Sequence, residues 1–388
     1  MNTISEFSVG NLLTLQQIDS YRDRPPILVT VVAVDGSVLL SDVPIAPYQT
    51  VANVLVDCLK VMGIEDSRKN YFGVFVYDMG ESGSPPLDLK NELSYKIKRT
   101  PRPLADDEYF GDIVIQKLRQ YRSFKFVVKK KLFLDDANEY PSTDMNYEKY
   151  VYLQAEKDII IDGVIDILSE SIAIELAAIS MVIAFGEAAP TFEDGLIVAK
   201  LLNYIAPWYR GKRTQLYFAR KMIPRIAALL KDFDLHRLYT KFITIARSNR
   251  SSYMFGTHWF NMIHSNIYDD KGSELTKDKA TSPLVTRLLK ELPLGVVLGV
   301  TCKGLHLCDE EKKSLFFFSY ADVDKWGGNN SQFSMVVLDH TADMRVRKGK
   351  KVPVTIELSL ITTQSLDIAT IMKDYLKIQK DMRELISS

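Results

Sequence analysis

The chain has 388 residues, 46% apolar and 25% charged, with 49 Lys plus Arg set against 49 Asp plus Glu. That size and apolar content suit a globular protein of two to four domains with sizeable buried cores. Zero net charge removes any global pull toward nucleic acid or membrane, so nucleic acid is not expected as a partner and other charged ligands have to find local patches.

Residues 1–24 carry scattered apolar positions and end in a charged run before Pro25-Pro26, which reads as a connector from something upstream. They show no basic region followed by an apolar core, so no signal peptide is expected. A β-branched run, Ile27 to Asp35, meets the hairpin signal Asp35-Gly36 and resumes from Ser37 to Val43. A helical pattern follows at Val51, Val54, Leu55, Cys58, Leu59 and Met62, closed by Gly63, and then a strand from Phe72 to Asp78. Hairpin, helix and strand in this order have the layout of a ubiquitin-like β-grasp.

Helical periodicity takes over from Leu104 to Ser252. Segments 108–121, 147–161, 172–185, 196–205, 222–230 and 238–246 predict a small bundle, with one strand-like interruption at Phe124 to Leu134. The run Ile172 to Ala189 holds Glu175 and Glu187 and is too short to span a bilayer, so it is expected to be a buried helix. Strands return at 257–265, 294–302, 305–308, 314–320, 331–338 and 352–361, with a short strand ending in Trp326, a Gly-Gly-Asn-Asn turn, and a long polar loop at Tyr268 to Ala280. A closing amphipathic helix, Thr363 to Met382, places Ile368, Ile371, Met372, Tyr375 and Leu376 on one face. This is a pleckstrin-homology or phosphotyrosine-binding layout.

No catalytic constellation is legible. The chain lacks a P-loop, a dinucleotide fingerprint, a nucleophile elbow and any metal-spaced His or Cys cluster. His258 and His264 share a strand face without a third ligand, and the Asp pairs 106–107 and 135–136 read as turn caps. Cys58, Cys302 and Cys308 are too few for a disulfide framework and are expected to be reduced core thiols of a cytoplasmic protein. Neither a catalytic residue nor a cofactor nor a metal is expected.

Specific residues carry a family resemblance. PRPLADDEYFGDIVIQKL (Pro101 to Leu118), KFVVKKKLFLDD followed by EKYVYLQAEKDII, LSESIAIELAAISMVIAFGE, TKFITIARS (Thr240 to Ser248) and VDKWGGNNSQFSMVV resemble, in order, segments of FERM domains. The matches run through most of residues 25–382 and are most similar to the FERM modules of unconventional, class VII-like myosin tails. Talin is the rival, although it would call for a further ubiquitin-like lobe before residue 25. The resemblance implies an α+β, three-lobed clover: connector 1–24, ubiquitin-like β-grasp 25–103, helical lobe of the acyl-CoA-binding-protein type 104–252, and a pleckstrin-like sandwich with C-terminal helix 253–388. It further implies a non-catalytic module at the cytoskeleton and membrane cortex, whose partners are cargo or adhesion-receptor tails and its own motor head. A talin- or ezrin-like membrane-to-actin linker, and the regulatory part of a tyrosine phosphatase or kinase, stay open as alternatives.

Three sets of residues are candidate sites. Residues 200–250 hold twelve Lys or Arg against two Asp, whereas 132–194 hold fourteen acidic residues against two Lys. Arg210, Lys212, Arg213, Arg220, Lys221 and Arg225 could therefore meet acidic phospholipid, or could simply neutralise the acidic half of the same lobe. Arg345, Arg347, Lys348, Lys350 and Lys351 place five cations in seven residues before the last strand. The myosin resemblance implies that Arg347, Lys348, Lys350 and Lys351 dock an acidic partner such as the motor head and hold it inactive; a solvated hairpin tip is the plain alternative. Actin or microtubule association of such basic patches is compatible with the sequence, which does not single it out. Third, the resemblance to phosphotyrosine-binding lobes implies a peptide groove lined by Tyr320, Val323, Lys325, Ile368 and Met372, where an extended segment adds to the strand beside the last helix. Trp326 is expected to be scaffold.

Overall fold

Gly36, at φ +88°, allows the tight turn between β1 (Ile27–Ala33) and β2 (Val38–Ile45). The Ala33 amide donates to the Ser37 carbonyl at 2.8 Å, and Asp35 Oδ1 accepts from the Ser37 amide at 3.0 Å. The computed structural model describes residues 26–46, 48–78, 101–119, 124–134, 143–165, 169–186, 201–248, 252–280, 282–342, 345–347 and 350–387. The expected connector 1–24 lies outside them. The chain divides into two units: residues 1–84, 104–131 and 136–255 form one, and 85–103, 132–135 and 256–388 the other.

In the first unit, α1 (Val51–Met62) starts at the Thr50 cap and stops at Gly63, whose φ of +68° suits the left-handed cap. It buries Val51, Val54, Leu55, Cys58, Leu59 and Met62, the stripe expected from the 3.6-residue period. Two more strands of this unit, β3 (Phe72–Asp78) and β4 (Phe124–Lys130), give the order β2-β1-β4-β3 for four of the five strands of the sheet, with β4 parallel to β1 and antiparallel to β3. The segment read as an interruption among helices is thus an inner strand of the first sheet. Consecutive Phe126, Val127 and Val128 are all buried, so both faces of this strand are covered, as suits an inner strand, while β1 and β3 satisfy its two edges.

Five further helices are described in full here: α2 (Phe110–Arg119), α3 (Met145–Glu156), α4 (Glu170–Phe185), α5 (Gln215–Lys231) and α6 (Leu235–Arg247). Helix α3 runs on into one π-helical turn, Lys157–Ile161. Apolar nearly all round, α4 buries Ala173 to Val182 except Glu175 and packs on α5 and α6. Helix α3 joins this bundle to the sheet. Gln154 accepts from the Lys130 amide at 2.9 Å and donates to the Lys130 carbonyl at 3.2 Å, while Lys130 Nζ lies 2.5 Å from Tyr147 Oη.

The second unit is dominated by a seven-stranded antiparallel sheet. Its strands are β5 (His258–Asp269), β6 (Gly295–Val300), β7 (Gly304–Cys308), β8 (Ser314–Ser319), β9 (Val323–Asn329), β10 (Gln332–Asp339) and β13 (Val354–Ile361), in the order β9-β10-β13-β5-β6-β7-β8. A separate hairpin, β11 (Arg345–Arg347) and β12 (Lys350–Val352), precedes β13. Two features differ from the sequence reading. A helix, α7 (Pro283–Glu291), follows the polar loop, capped by Ser282 and turned inward through Val285 and Leu288. The glycines after Trp326 belong to β9, and the turn falls at Asn330-Ser331. A Cβ on Gly328 would sit 2.3 Å from the Gln332 carbonyl oxygen, so this strand needs glycine for close packing. Helix α8 (Ser365–Ser387) buries Ile368, Ile371, Met372 and Tyr375 completely.

Candidate functional site

Among the described residues the sheet of the second unit ends at β9 on one side and β8 on the other, so each offers one edge to the sheet's outside. Beside β9, α8 is tied down at its start: Ser365 Oγ donates to the Asn329 carbonyl, and the same helix holds Asp367 3.2 Å from Arg102. Farther along, the Phe133 amide donates to Tyr375 Oη at 3.3 Å, and Gln379 donates to the Cys302 carbonyl. The helix is thereby fixed along much of its length, leaving Leu366, 58% exposed, Thr370, half-buried, and Lys373, exposed, on its outer side.

Of the five residues expected to line a peptide groove, Lys325 alone is exposed. Ile368 and Met372 are fully buried, and Val323 is buried as well. Tyr320 donates its hydroxyl to the Thr301 carbonyl at 2.8 Å, and burial holds the phenol well above its ordinary pKa. The helical period placed Ile368 and Met372 on the correct stripe, yet that stripe is core. Trp326 is half-buried.

The basic cluster before the last strand forms the β11–β12 hairpin, pairing Arg345 with Val352, Val346 with Lys351 and Arg347 with Lys350. Lys348 lies outside the described residues. Two cationic positions thus stand directly opposite one another, an arrangement that is unfavourable within an isolated hairpin.

The cations of the first unit separate into two groups. Arg210 is structural: it donates to the carbonyls of Ile205 at 2.8 Å, Ile160 at 2.9 Å and Asn203 at 3.3 Å. Arg213 lies 3.5 Å from Glu170, and Arg225 and Lys241 lie 3.0 and 2.7 Å from Glu175. Lys212, Arg220 and Lys221 are exposed, and no ion pair involves them among the described residues. Neutralisation within the bundle therefore accounts for part of the set only. Sequence reasoning missed the exposed apolar side chains Ile161, Trp208 and Leu216; the last two lie in an acid-free run, a signal of composition rather than a motif.

Several titratable side chains among the described residues are turned to packing. Cys58 and Cys308 are buried, which pushes both thiols up to about 12. His264 and His306 are lowered by burial, His306 to about 4, and His306 packs against Phe317 with ring centroids 4.6 Å apart. Inside the bundle, Tyr152 donates to Glu156 at 2.8 Å and Ser180 donates to the same carboxylate, whose pKa burial raises. Among the described residues no group of three or more His, Cys, Asp or Glu is placed to hold a metal ion, and no helix is long and apolar enough to cross a membrane.

No protein-family model matches the chain, and no curated protein does. Solved structures do. The MyTH4-FERM MF2 domain of Dictyostelium discoideum myosin VII superposes with a TM-score of 0.64 at 14% identity, over 93% of this chain and 61% of that one. The human myosin 7b C-terminal MyTH4-FERM domain, in complex with the harmonin-a PDZ3 domain, gives 0.59 at 13% identity, over 94% and 62%. The FERM domain of Drosophila Merlin, in complex with its C-terminal domain, gives 0.59 at 15% identity, over 92% and 98%. The chain has an α+β FERM fold similar to those of myosin VII tails and Merlin. It spans about three-fifths of the length of the myosin structures that it matches.

Proposed function

We propose that this chain is a non-catalytic FERM module of an unconventional-myosin-like tail, which works by binding protein partners at the cytoskeleton and membrane cortex. The first lobe is taken to extend to Lys131, because β4 belongs to its sheet; a helical lobe then runs to Phe255, and a pleckstrin-like lobe follows. The observation that carries the reading is the outer edge of β9 beside a helix whose start is tied to that strand. Such an edge can accept an extended segment by main-chain hydrogen bonds, with Lys325, Trp326, Leu366 and Lys373 offering side chains for specificity. The fold likeness to myosin 7b, which was captured with a PDZ domain, supports a protein as the partner and makes a PDZ-domain protein the first probe.

The test uses amide-resolved NMR with peptides selected from a random extended library. Selected peptides are expected to shift the amides of Val323 to Asn329. Because neighbouring residues of a strand alternate between its two sides, one of Lys325→Pro and Trp326→Pro removes an outward donor while leaving the β9–β10 ladder in place. That variant is expected to fold and to lose binding; shifts confined to other elements would reject the edge as the site.

A second reading rests on the β11–β12 hairpin, whose opposed cations at Arg347 and Lys350 would gain from an acidic partner such as the motor head. Charge reversal at Lys348 and Lys350 in the full-length motor is expected to raise basal ATPase and loosen a compact shape. Unchanged ATPase and shape would exclude motor-head docking.

A further inference from the structure

The outer edge of β8 is apolar, uncharged and self-complementary, and we propose that it pairs with the same strand of a second copy of this chain, antiparallel about a two-fold axis. This edge lies on the opposite side of the sheet from β9, so the proposal and the β9 reading can fail separately. It starts from sequence. Strand β8 reads Ser-Leu-Phe-Phe-Phe-Ser, with high β propensity and without a charge, a glycine or a proline. Edge strands ordinarily carry a lysine or a proline that keeps other strands away, and this one carries neither.

The fold decides what the edge presents. Phe316 and Phe318 are buried, whereas Phe317 between them belongs to the other face and is 47% exposed. On that face four residues stand opposite one another across four strands: Trp259 on β5, Gly299 on β6, His306 on β7 and Phe317 on β8. Trp259 lies against Gly299, where an added Cβ would meet its ring at 2.8 Å, and His306 packs on Phe317. The row of rings therefore runs to the rim of the sheet and stops at Phe317, with no strand beyond it among the described residues.

A bulge at Leu315 interrupts the pairing with β7, so the regular edge is Phe316 to Ser319. A two-fold axis perpendicular to a sheet preserves its faces, and an axis through Phe317 sets that residue opposite itself and Phe316 opposite Phe318 of the other copy. The row of rings then continues across the interface as an aromatic cross-strand pair. Charge agrees with this register. An antiparallel copy brings the exposed Lys313, just before the strand, toward Asp322 of the other copy, just after it. The hydroxyl of Ser319, with help from His340, holds the Asp322 carboxyl below its ordinary pKa and so keeps it anionic. A second copy thus supplies an uncharged strand, a ring opposite the ring and opposite charge at each end.

The test is sedimentation velocity of the whole chain from about 1 to 300 μM, because pairing of about five residues a side is far smaller than a standard interface and implies a dissociation constant on the order of 10–100 μM. The weight-average mass is expected to rise from one copy toward two across this range. Phe317→Lys opposes two cations at the axis and is expected to weaken the dimer about tenfold or more, and Lys313→Glu about fivefold. Both positions are exposed, so the melting temperature is expected to hold. Phe317→Cys is expected to form a disulfide between copies under mild oxidation, whereas Leu28→Cys, at an exposed position of the first unit, is not. A constant monomer mass, undiminished association of Phe317→Lys, or no more disulfide from Phe317→Cys than from Leu28→Cys overturns the proposal. So does a monomer whose β8 amides are all protected from exchange, which would assign the edge to another segment of this chain.

Discussion

Substituting Gln154 tests how the bundle of the first unit is joined to its sheet. Strand β1 ends at Ala33, opposite Val128, so it stops two residues short of Lys130 on β4. On that side Gln154 of α3 stands in for the missing strand, offering its amide oxygen to the Lys130 N–H at 2.9 Å and its amide nitrogen to the Lys130 carbonyl at 3.2 Å. Both Gln154 and Lys130 are buried, so water cannot replace a lost partner. Gln154→Leu keeps much of the volume and removes both bonds. A buried backbone group stripped of its partner costs about 1–3 kcal/mol, and the added apolar burial returns part of the sum, which leaves a net loss of roughly 2–4 kcal/mol. At about 2–4 °C per kcal/mol for a unit of this size, the melting transition falls by roughly 5–12 °C. Calorimetry reads the transition, and hydrogen exchange reads the Lys130 amide. A Gln154→Leu midpoint within about 1 °C of the parent, with undiminished protection at Lys130, would refute the reasoning, since the predicted shift is several-fold larger.

Three further outcomes follow from local geometry. Gly328→Ala puts a Cβ 2.3 Å from the Gln332 oxygen and 2.8 Å from Ser365 Cβ; urea unfolding is expected to show a loss of about 1–3 kcal/mol, and an unchanged midpoint would contradict the close approach. Burial raises Glu156 above its ordinary 4.5, so the folded protein holds this proton more tightly than the unfolded chain and loses stability as pH rises from 4.5 through the folded value. Glu156→Gln should gain over the parent above that pH and show no advantage well below it; a gain that is constant with pH would exclude the carboxyl as its source. His306 runs the other way: lowered from 6.5 to about 4, it resists protonation that the unfolded chain accepts, so stability declines as pH falls through this window. His306→Asn should flatten that part of the pH–stability curve, and an identical slope would assign the decline to other groups.

Much of the fold could be read from period and punctuation. Asp35-Gly36 and Gly63 bound their elements because turn and cap chemistry is local, and the apolar stripe of the last helix placed Ile368, Ile371, Met372 and Tyr375 on one face. Local pattern cannot say what covers a stripe. For that reason Ile368 and Met372 could be named as groove lining even though core was the favoured reading of each alone, and packing beneath α8 made them core. The run from Phe124 to Lys130 was legible as a strand, whereas its partners, β1 and β3, lie some fifty to ninety residues away and are chosen by long-range burial. The basic run of the helical region was equally visible as composition. Only tertiary structure divided it into Arg210 on carbonyls, Arg213 and Arg225 on glutamates, and Lys212, Arg220 and Lys221 facing outward, because a charge's availability depends on what the fold brings within hydrogen-bond reach.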